Sequence, residues 1–206
     1  TISQTRADAY DWDQIFEDAD WFHVTGITPA ISEAAAQATV NAVQKAKASG
    51  LTVSCDLNFR GKLWKWREGT EARTLAGEVM PEVVKSVDVL IANEEDCGDV
   101  LGIRAAGEDV ASGILEADRY PDVARRVVSE FPNLKMVATT LRQSLSASFN
   151  RWGAMLFDAT ADQPFFSPTI DGVYQPYEIR NIVDRVGGGD SFAAGLIFAL
   201  RSNEHK

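Results

Sequence analysis

Histidine and cysteine are scarce. Two histidines, His23 and His205, and two cysteines, Cys55 and Cys97, occur in 206 residues. A zinc hydrolase lacks its ligand set here, and the cysteines make neither a CxxC pair nor a disulfide framework. Buried, reduced thiols in a cytoplasmic protein are the expectation. No block of Lys and Arg appears, the densest basic stretch being Arg60–Arg67, so no nucleic-acid partner is expected. The uncharged run Ser191–Leu200 is ten residues long, whereas a membrane span needs about twenty. The start Thr1-Ile-Ser-Gln-Thr-Arg6 has no charged-then-apolar signal pattern. G-x-x-x-x-G-K-[ST] and G-x-S-x-G strings are both absent, which excludes a P-loop and a nucleophile elbow.

What is present is an ordinary globular composition, 45% hydrophobic and 24% charged. A chain of this length buries roughly 70% of the surface that its unfolded form exposes. Twenty Lys and Arg against thirty Asp and Glu give a net charge of −10, which favours solubility. Strand-like and helix-like stretches alternate. Trp12–Ala19 reads as a short helix and Trp21–Gly26 as a strand. Ser32 caps a helix over Glu33–Ala48 that Gly50 stops. Leu51–Leu57, Val87–Ala92 and Leu134–Thr140 read as buried strands, and Thr70–Lys85 and Pro121–Phe131 as helices. Leu145–Phe157 reads as a hairpin turning near Arg151-Trp152. Ile179–Val186 reads as a strand, and Gly188–Leu200 as a helix. Such alternation predicts one doubly wound α/β domain, 1–206, whose mostly parallel sheet has helices on both faces.

Ligands of open parallel sheets sit at the carboxyl ends of the strands. Those ends are expected to carry loops at Thr25-Gly26, Asp56–Arg60, Asn93–Asp96, Thr139–Arg142 and Gly187–Asp190. The sharpest string is Asp184-Arg-Val-Gly-Gly-Gly-Asp-Ser-Phe-Ala-Ala-Gly195, three glycines running into an apolar helix. Glycines bring backbone N–H groups close to a ligand, and a helix start favours an anion, so phosphate is the natural guest. A Cβ at Gly188 is expected to block the anion and to clash with a positive φ. Asp190, in the first turn, can accept a proton from an attacking hydroxyl, or simply cap the helix. The Rossmann fingerprint is excluded by the string's late position and by Phe192 where a glycine belongs. Gly189-Asp-Ser-Phe192 echoes the GDS block of some esterases, but no histidine is placed to activate Ser191. Asn93-Glu-Glu-Asp96 reads equally as a capped helix start. Arg60 suits phosphate or carboxylate through its donor fork. Trp64, Trp66 and Trp152 read as packing or surface anchors, and His23 as a satisfied core histidine.

Gly187-Gly-Gly-Asp190, preceded by Asp184, resembles the D-T-x-G-A-G-D signature of the PfkB (ribokinase-like) carbohydrate kinases. Ala19–Ala30, Cys55–Arg60 with Leu63-Trp64, Asn93–Asp96 and Arg142–Ser144 are similar to 2-keto-3-deoxygluconate kinases. The resemblance spans about Asp11 to Leu200. It implies a ribokinase-like fold, ATP and Mg²⁺, a small sugar acid as partner, and room for a homo-oligomer. Asp190 would be the catalytic base, and Gly187, Gly188 and Gly189 the anion hole. Gly26, Ile27 and Arg60 would join Asp190 at the substrate. Asn58, Arg60, Asn93, Thr140 and Arg142 would bind nucleotide or phosphate. Asp96 and Glu95 would organise Mg²⁺ indirectly, with Glu94 beside them, since Asp96 stands where the family's N-x-x-E motif has Glu. Arg185 replaces a threonine of the signature and puts the family's monovalent-cation site in question. Intact members are longer at both ends, so an apparent fragment of a longer kinase, without N- and C-terminal segments, is expected.

Overall fold

The computed structural model describes residues 1–93, 95–104, 117–184 and 186–203. Glu94, Arg185 and His205, singled out above, lie outside the described residues. Four strands alternate with helices: β1 (Trp21–Thr25), β2 (Thr52–Asp56), β3 (Val89–Asn93) and β4 (Met136–Ser146). They pair in parallel in the order β1-β2-β3-β4. β5 (Phe149–Asp158) then runs antiparallel to β4. β6 (Gln163–Ser167) and β9 (Tyr177–Arg180) pair with successive stretches of β5, so β5 alone runs against the other described strands of this seven-stranded sheet. β7 (Thr169–Ile170) and β8 (Val173–Tyr174) form a separate small hairpin.

The helices are α1 (Trp12–Ile15), α2 (Ile27–Ala30), α3 (Glu33–Ala48), α4 (Ala72–Val84), α5 (Asp96–Leu101), α6 (Tyr120–Glu130) and α7 (Gly188–Asn203). Strand alternation sends successive side chains to opposite faces, and the core divides accordingly. Val53, Cys55, Leu90, Ala92, Val137 and Leu141 join the large cluster with α3, α4, α5 and α6. Ile91 and Ala138 point the other way, against Ala193 of α7. The sheet is therefore covered on both faces, as the alternating pattern predicts. Both cysteines are buried and free. No described helix is long and apolar enough to cross a membrane.

Local chemistry explains the boundaries. Ser32 Oγ accepts the Ala35 N–H at 3.0 Å, starting α3 as read, and Gly50 takes φ +84° just beyond its end. α1 is shorter than its sequence pattern because Asp18 turns the chain at φ +59°. The hairpin turns at Ala147-Ser148, not near Arg151-Trp152: β4 continues past Thr140 to Ser146, and Arg151 and Trp152 lie within β5. Three small residues, Ser146 to Ser148, allow that reversal, and the Ser146 hydroxyl accepts the Ser148 N–H at 3.3 Å. Thr139–Arg142 is consequently strand rather than loop. The strand expected over Ile179–Val186 ends at Arg180, where Asn181 at φ +58° turns the chain out of the sheet. His23 is not in the core. It is exposed on edge strand β1, with Nδ1 2.8 Å from the hydroxyl of Ser54.

At the opposite end of the sheet from the glycine-rich turn, Asp88 anchors β3. Its side chain is 1% exposed, accepts the Val53 N–H at 3.0 Å, and pairs with Lys47 and Lys135. Burial pushes this carboxyl up, but the Lys47, Val53 and Lys135 bonds outweigh burial and hold it below the usual range. Asp88→Ala is expected to lower stability by about 2–3 kcal/mol, the worth of charged hydrogen bonds at a buried site. Because the folded-state pKa is depressed, this contribution is present above the unfolded carboxyl's pKa and disappears as pH falls through the folded value. Urea denaturation at neutral and acid pH checks both points; an unchanged midpoint at neutral pH contradicts them.

Candidate active site

The loops at the carboxyl ends of β2 and β3 are held by their own polar side chains. Asp56 accepts the Asn58 N–H at 3.1 Å, and the Asn58 amide donates to the Thr25 hydroxyl at 3.2 Å. This holds Asn58 at φ +38° and aims the chain toward Arg60. Gly26 donates its N–H to the Asp56 carbonyl at 2.8 Å, and a Cβ there would stand 2.1 Å from the Leu57 carbonyl oxygen. Only glycine permits that approach. After β3, Asn93 Oδ1 accepts the N–H groups of Glu95 and Asp96 at 2.8 and 3.0 Å, while Asp96 Oδ2 accepts the Asn93 N–H at 3.0 Å. The bonds have the reciprocal form of a capping box, but Asn93 ends β3 and α5 starts at Asp96 with Glu95 as its N-cap, so Asn93 braces the turn before the helix rather than capping it. Asp96 Oδ1 accepts the Phe59 N–H at 3.3 Å, joining the two loops.

The glycine turn enters the same edge. Asp184 accepts the Val186 N–H at 2.9 Å, Gly187 takes φ +77°, and Ser191 donates to the Gly187 carbonyl at 2.8 Å as α7 begins. The positive φ therefore falls on Gly187. At Gly188, contrary to expectation, φ is ordinary and a Cβ would meet nothing within 4 Å. A Cβ on Gly189 would lie 3.9 Å from Oδ2 of Asp56. The N–H groups of α7's first turn have no intrahelical acceptors, which makes them available to an anion.

Where these pieces meet is a cleft of about 190 Å³. Asn58, Arg60, Asn93, Asp96, Thr140, Arg142 and Gly189 line it, bringing together seven of the residues singled out in the sequence. Gly26, Ile27, Gly187, Gly188, Asp190 and Glu95 are not among its lining residues. Asp190 is exposed beside it, and its charge acts on Asp56 and His23. Glu95 is exposed and points its influence to Arg73 instead. Burial, then the charges of Asp96 and Asp190, push Asp56 up to about 6, against the opposing pull of the Asn58 N–H and Arg60. Asp96 is also raised, chiefly by burial. The cleft thus concentrates negative charge at its floor, with Arg60 as the cation that acts on both acids.

Asp56, expected at this edge only as part of the Asp56–Arg60 loop, and Trp152 and Phe192, not expected at the site, also line the cleft. Asp56 had a signal: an acid at the end of an otherwise buried strand. Trp152 had none in its immediate neighbourhood, because Arg142, its partner across the β4–β5 register, is ten residues distant. Trp64, buried at 1% exposure, and Trp66, packed on the core, are packing residues as expected.

No protein-family model matches the chain. Among curated proteins, 2-dehydro-3-deoxygalactonokinase of Haloferax volcanii is 30% identical over 190 residues, covering 92% of this chain and 48% of its own. Among solved structures, a 2-dehydro-3-deoxygluconokinase of Thermotoga maritima is 40% identical with TM-score 0.81, over 98% of this chain and 55% of that one. A PfkB family carbohydrate kinase from Listeria grayi, 24% identical, shares the fold at TM-score 0.76 over 98% of this chain and 54% of its own. The chain spans about half the length of these relatives. Sequence likeness along nearly all of its length and a shared fold place it in the PfkB, ribokinase-like family of carbohydrate kinases.

Proposed function

We propose that this protein is part of an ATP-dependent kinase that phosphorylates a 2-keto-3-deoxy sugar acid, 2-keto-3-deoxygluconate first among candidates. The observation that carries the reading is Asp190 in the first turn of α7, behind a glycine turn whose backbone abuts the cleft. Asp190 takes the proton from the sugar's primary hydroxyl. The alkoxide oxygen attacks the γ-phosphorus of ATP, the bond from that phosphorus to the β-γ bridging oxygen breaks, and ADP leaves. The N–H groups at the start of α7 receive the charge on the transferred group, and the rest of catalysis is positioning. Two relatives similar over nearly all of this chain at 30% identity or above are named as kinases of 2-keto-3-deoxy sugar acids, whereas a fructokinase of Vibrio alginolyticus, 34% identical, matches over 70 residues. This favours a carboxylate-bearing acceptor over ribose or fructose.

Magnesium fits the donor set as an ion held mostly by phosphate and water. Among the described residues no three acidic, His or Cys side chains cluster closely enough to enclose a metal. Mg²⁺ needs only one or two carboxylates plus phosphate oxygens. Both Asp96 oxygens already accept backbone N–H groups, whereas Asp56 directs Oδ2 toward Gly189. Asp56 would hold the ion at the cleft floor, with Asp96 positioning the loops around it, and the ion would neutralise the nucleotide's phosphates.

Asp190→Asn is expected to lower kcat by about 10²–10⁴ while leaving nucleotide affinity and fold intact. Single-turnover assays following ADP release check this, and turnover within a few-fold of wild type contradicts it. Arg60→Ala is expected to raise KM for the sugar acid about tenfold or more if the guanidinium meets the acceptor's carboxylate. A fall in kcat with both KM values unchanged would instead assign Arg60 to the transferred phosphoryl group. The cleft's acids also leave a pH signature in stability. Asp56 has a folded-state pKa of about 6, above its unfolded value of 3.8, so the native state binds the extra proton and stability declines as pH rises through that window. Asp56→Asn should therefore raise Tm at pH 7, with the gap closing near pH 4. An equal Tm difference at both pH values would contradict the assignment.

A further inference from the structure

We infer that His23 is a positioning residue for the base: it stands beside Asp190 with its imidazole oriented by Ser54 and Trp21, and its charge state sets how readily Asp190 accepts a proton. This rests on the kinase reading above and names what tunes the proposed base.

The first observation is where α7 lies. Asp190, Ala194, Ile197 and Arg201 recur at helical spacing, so they share one flank of α7. Arg201 ends that flank in an ion pair with Asp20, the residue that leads into β1. At the other end, Gly189 approaches the side chain of Asp56, the last residue of β2. The flank that carries Asp190 therefore runs along β1. Val24 and Cys55 point into the large core cluster, so His23, Thr25, Ser54 and Asp56 project to the opposite face, on which α7 lies. His23 is the middle residue of β1, between the Arg201 and Asp190 ends of the flank.

The second observation is the bonding around the ring. The Trp21 indole N–H donates to Ser54 Oγ at 2.9 Å, and His23 Nδ1 lies 2.8 Å from the same oxygen. Ser54 is wholly buried, so the pair is no hydrolytic dyad, and its hydroxyl has no third partner among the described residues. An indole N–H only donates. The Ser54 hydroxyl therefore directs its proton to Nδ1, and the neutral imidazole carries its own on Nε2. A protonated ring would turn Nδ1 into a donor and leave the hydroxyl proton without an acceptor. Although the residue is exposed at the strand edge, enough of it is shielded from water to pull the imidazole below its usual 6.5, and the charge of Asp190 opposes that pull.

The charged groups on this face are few. Asp190 and Arg201 come from α7, with Arg201 already paired to Asp20, and Asp56 follows Ser54 on β2. At neutral pH His23 is uncharged and leaves the base undisturbed. In acid, an imidazolium on this flank favours the ionised carboxylate and makes it a weaker acceptor of the hydroxyl proton.

Proton NMR titration of the His23 ring tests the pairing without turnover, with the chain's other histidine removed as His205→Gln. The midpoint should lie below 6.5, and Asp190→Asn should lower it by about half a pH unit, because a charge that favours the imidazolium is lost. In His23→Gln the ratio of kcat at pH 5 to kcat at pH 7.5, with ATP and 2-keto-3-deoxygluconate, should be about twofold higher than in wild type. Asp56 titrates in both proteins and cancels from that comparison. A midpoint unmoved by Asp190→Asn overturns the pairing, and equal kcat ratios overturn the tuning role. Wild-type protein that transfers no phosphoryl group would overturn the kinase reading instead, a result distinct from either because the titration needs no turnover.

Discussion

The carboxylate of Asp96 bridges two loops that would otherwise be independent. One oxygen takes the Phe59 N–H and the other the Asn93 N–H, while Asn93 returns two bonds to the start of α5. These bonds fix where Arg60 leaves the β2 loop and where α5 begins. Buried at 3% exposure, Asp96 would be costly if unbonded. The same residue thus supplies order to the floor of the cleft and half of its negative charge. Asp56, one strand over, supplies the other half and faces the glycine turn.

An acidic protein that handles polyanions needs local compensation. The net charge of −10 does not attract a nucleotide, so under the proposed function the attraction is built from Arg60, Arg142 and the start of α7. Burial beside two other carboxylates pushes Asp56 up, so holding its charge in this cleft is costly. Sites that hold such charge give up stability for function. The opposite end of the sheet shows the contrast. There Asp88 is equally buried but surrounded by Lys47, Lys135 and a backbone N–H, and its charge stabilises the fold.

The parallel half of the fold was legible because its signals are local. Ser32 as cap, the Ala-rich run to Ala48 and the stop at Gly50 define α3, and β-branched runs between such helices define β1 to β4. The glycine string ahead of Asp190 was equally plain. Of the antiparallel arm the β4–β5 hairpin and a strand near Ile179 were legible, but not the place of the turn or β6 to β8. β4 and β5 are joined by a turn without glycine or proline, β6 to β8 are short, and β9 pairs with β5 through residues well separated in sequence, from Phe149↔Arg180 to Trp152↔Tyr177. For the same reason Trp152 read as a packing or surface anchor, which its contact with Phe192 bears out in part, and not as a cleft residue: Arg142 becomes adjacent only through the hairpin register. His23 was misplaced because an apolar strand pattern suggests two covered faces, while β1 is an edge with its histidine outward.

In the proposed reaction the glycine turn and Asp190 direct a phosphoryl group from ATP to a keto sugar acid. Phosphorus NMR of the products formed from ATP and 2-keto-3-deoxygluconate tests it most directly. The expected result is a new phosphomonoester resonance, coupled to the protons of the sugar's primary carbon, growing in step with ADP. ADP accompanied only by inorganic phosphate, or a phosphomonoester formed on ribose or fructose but never on the keto acid, would contradict it.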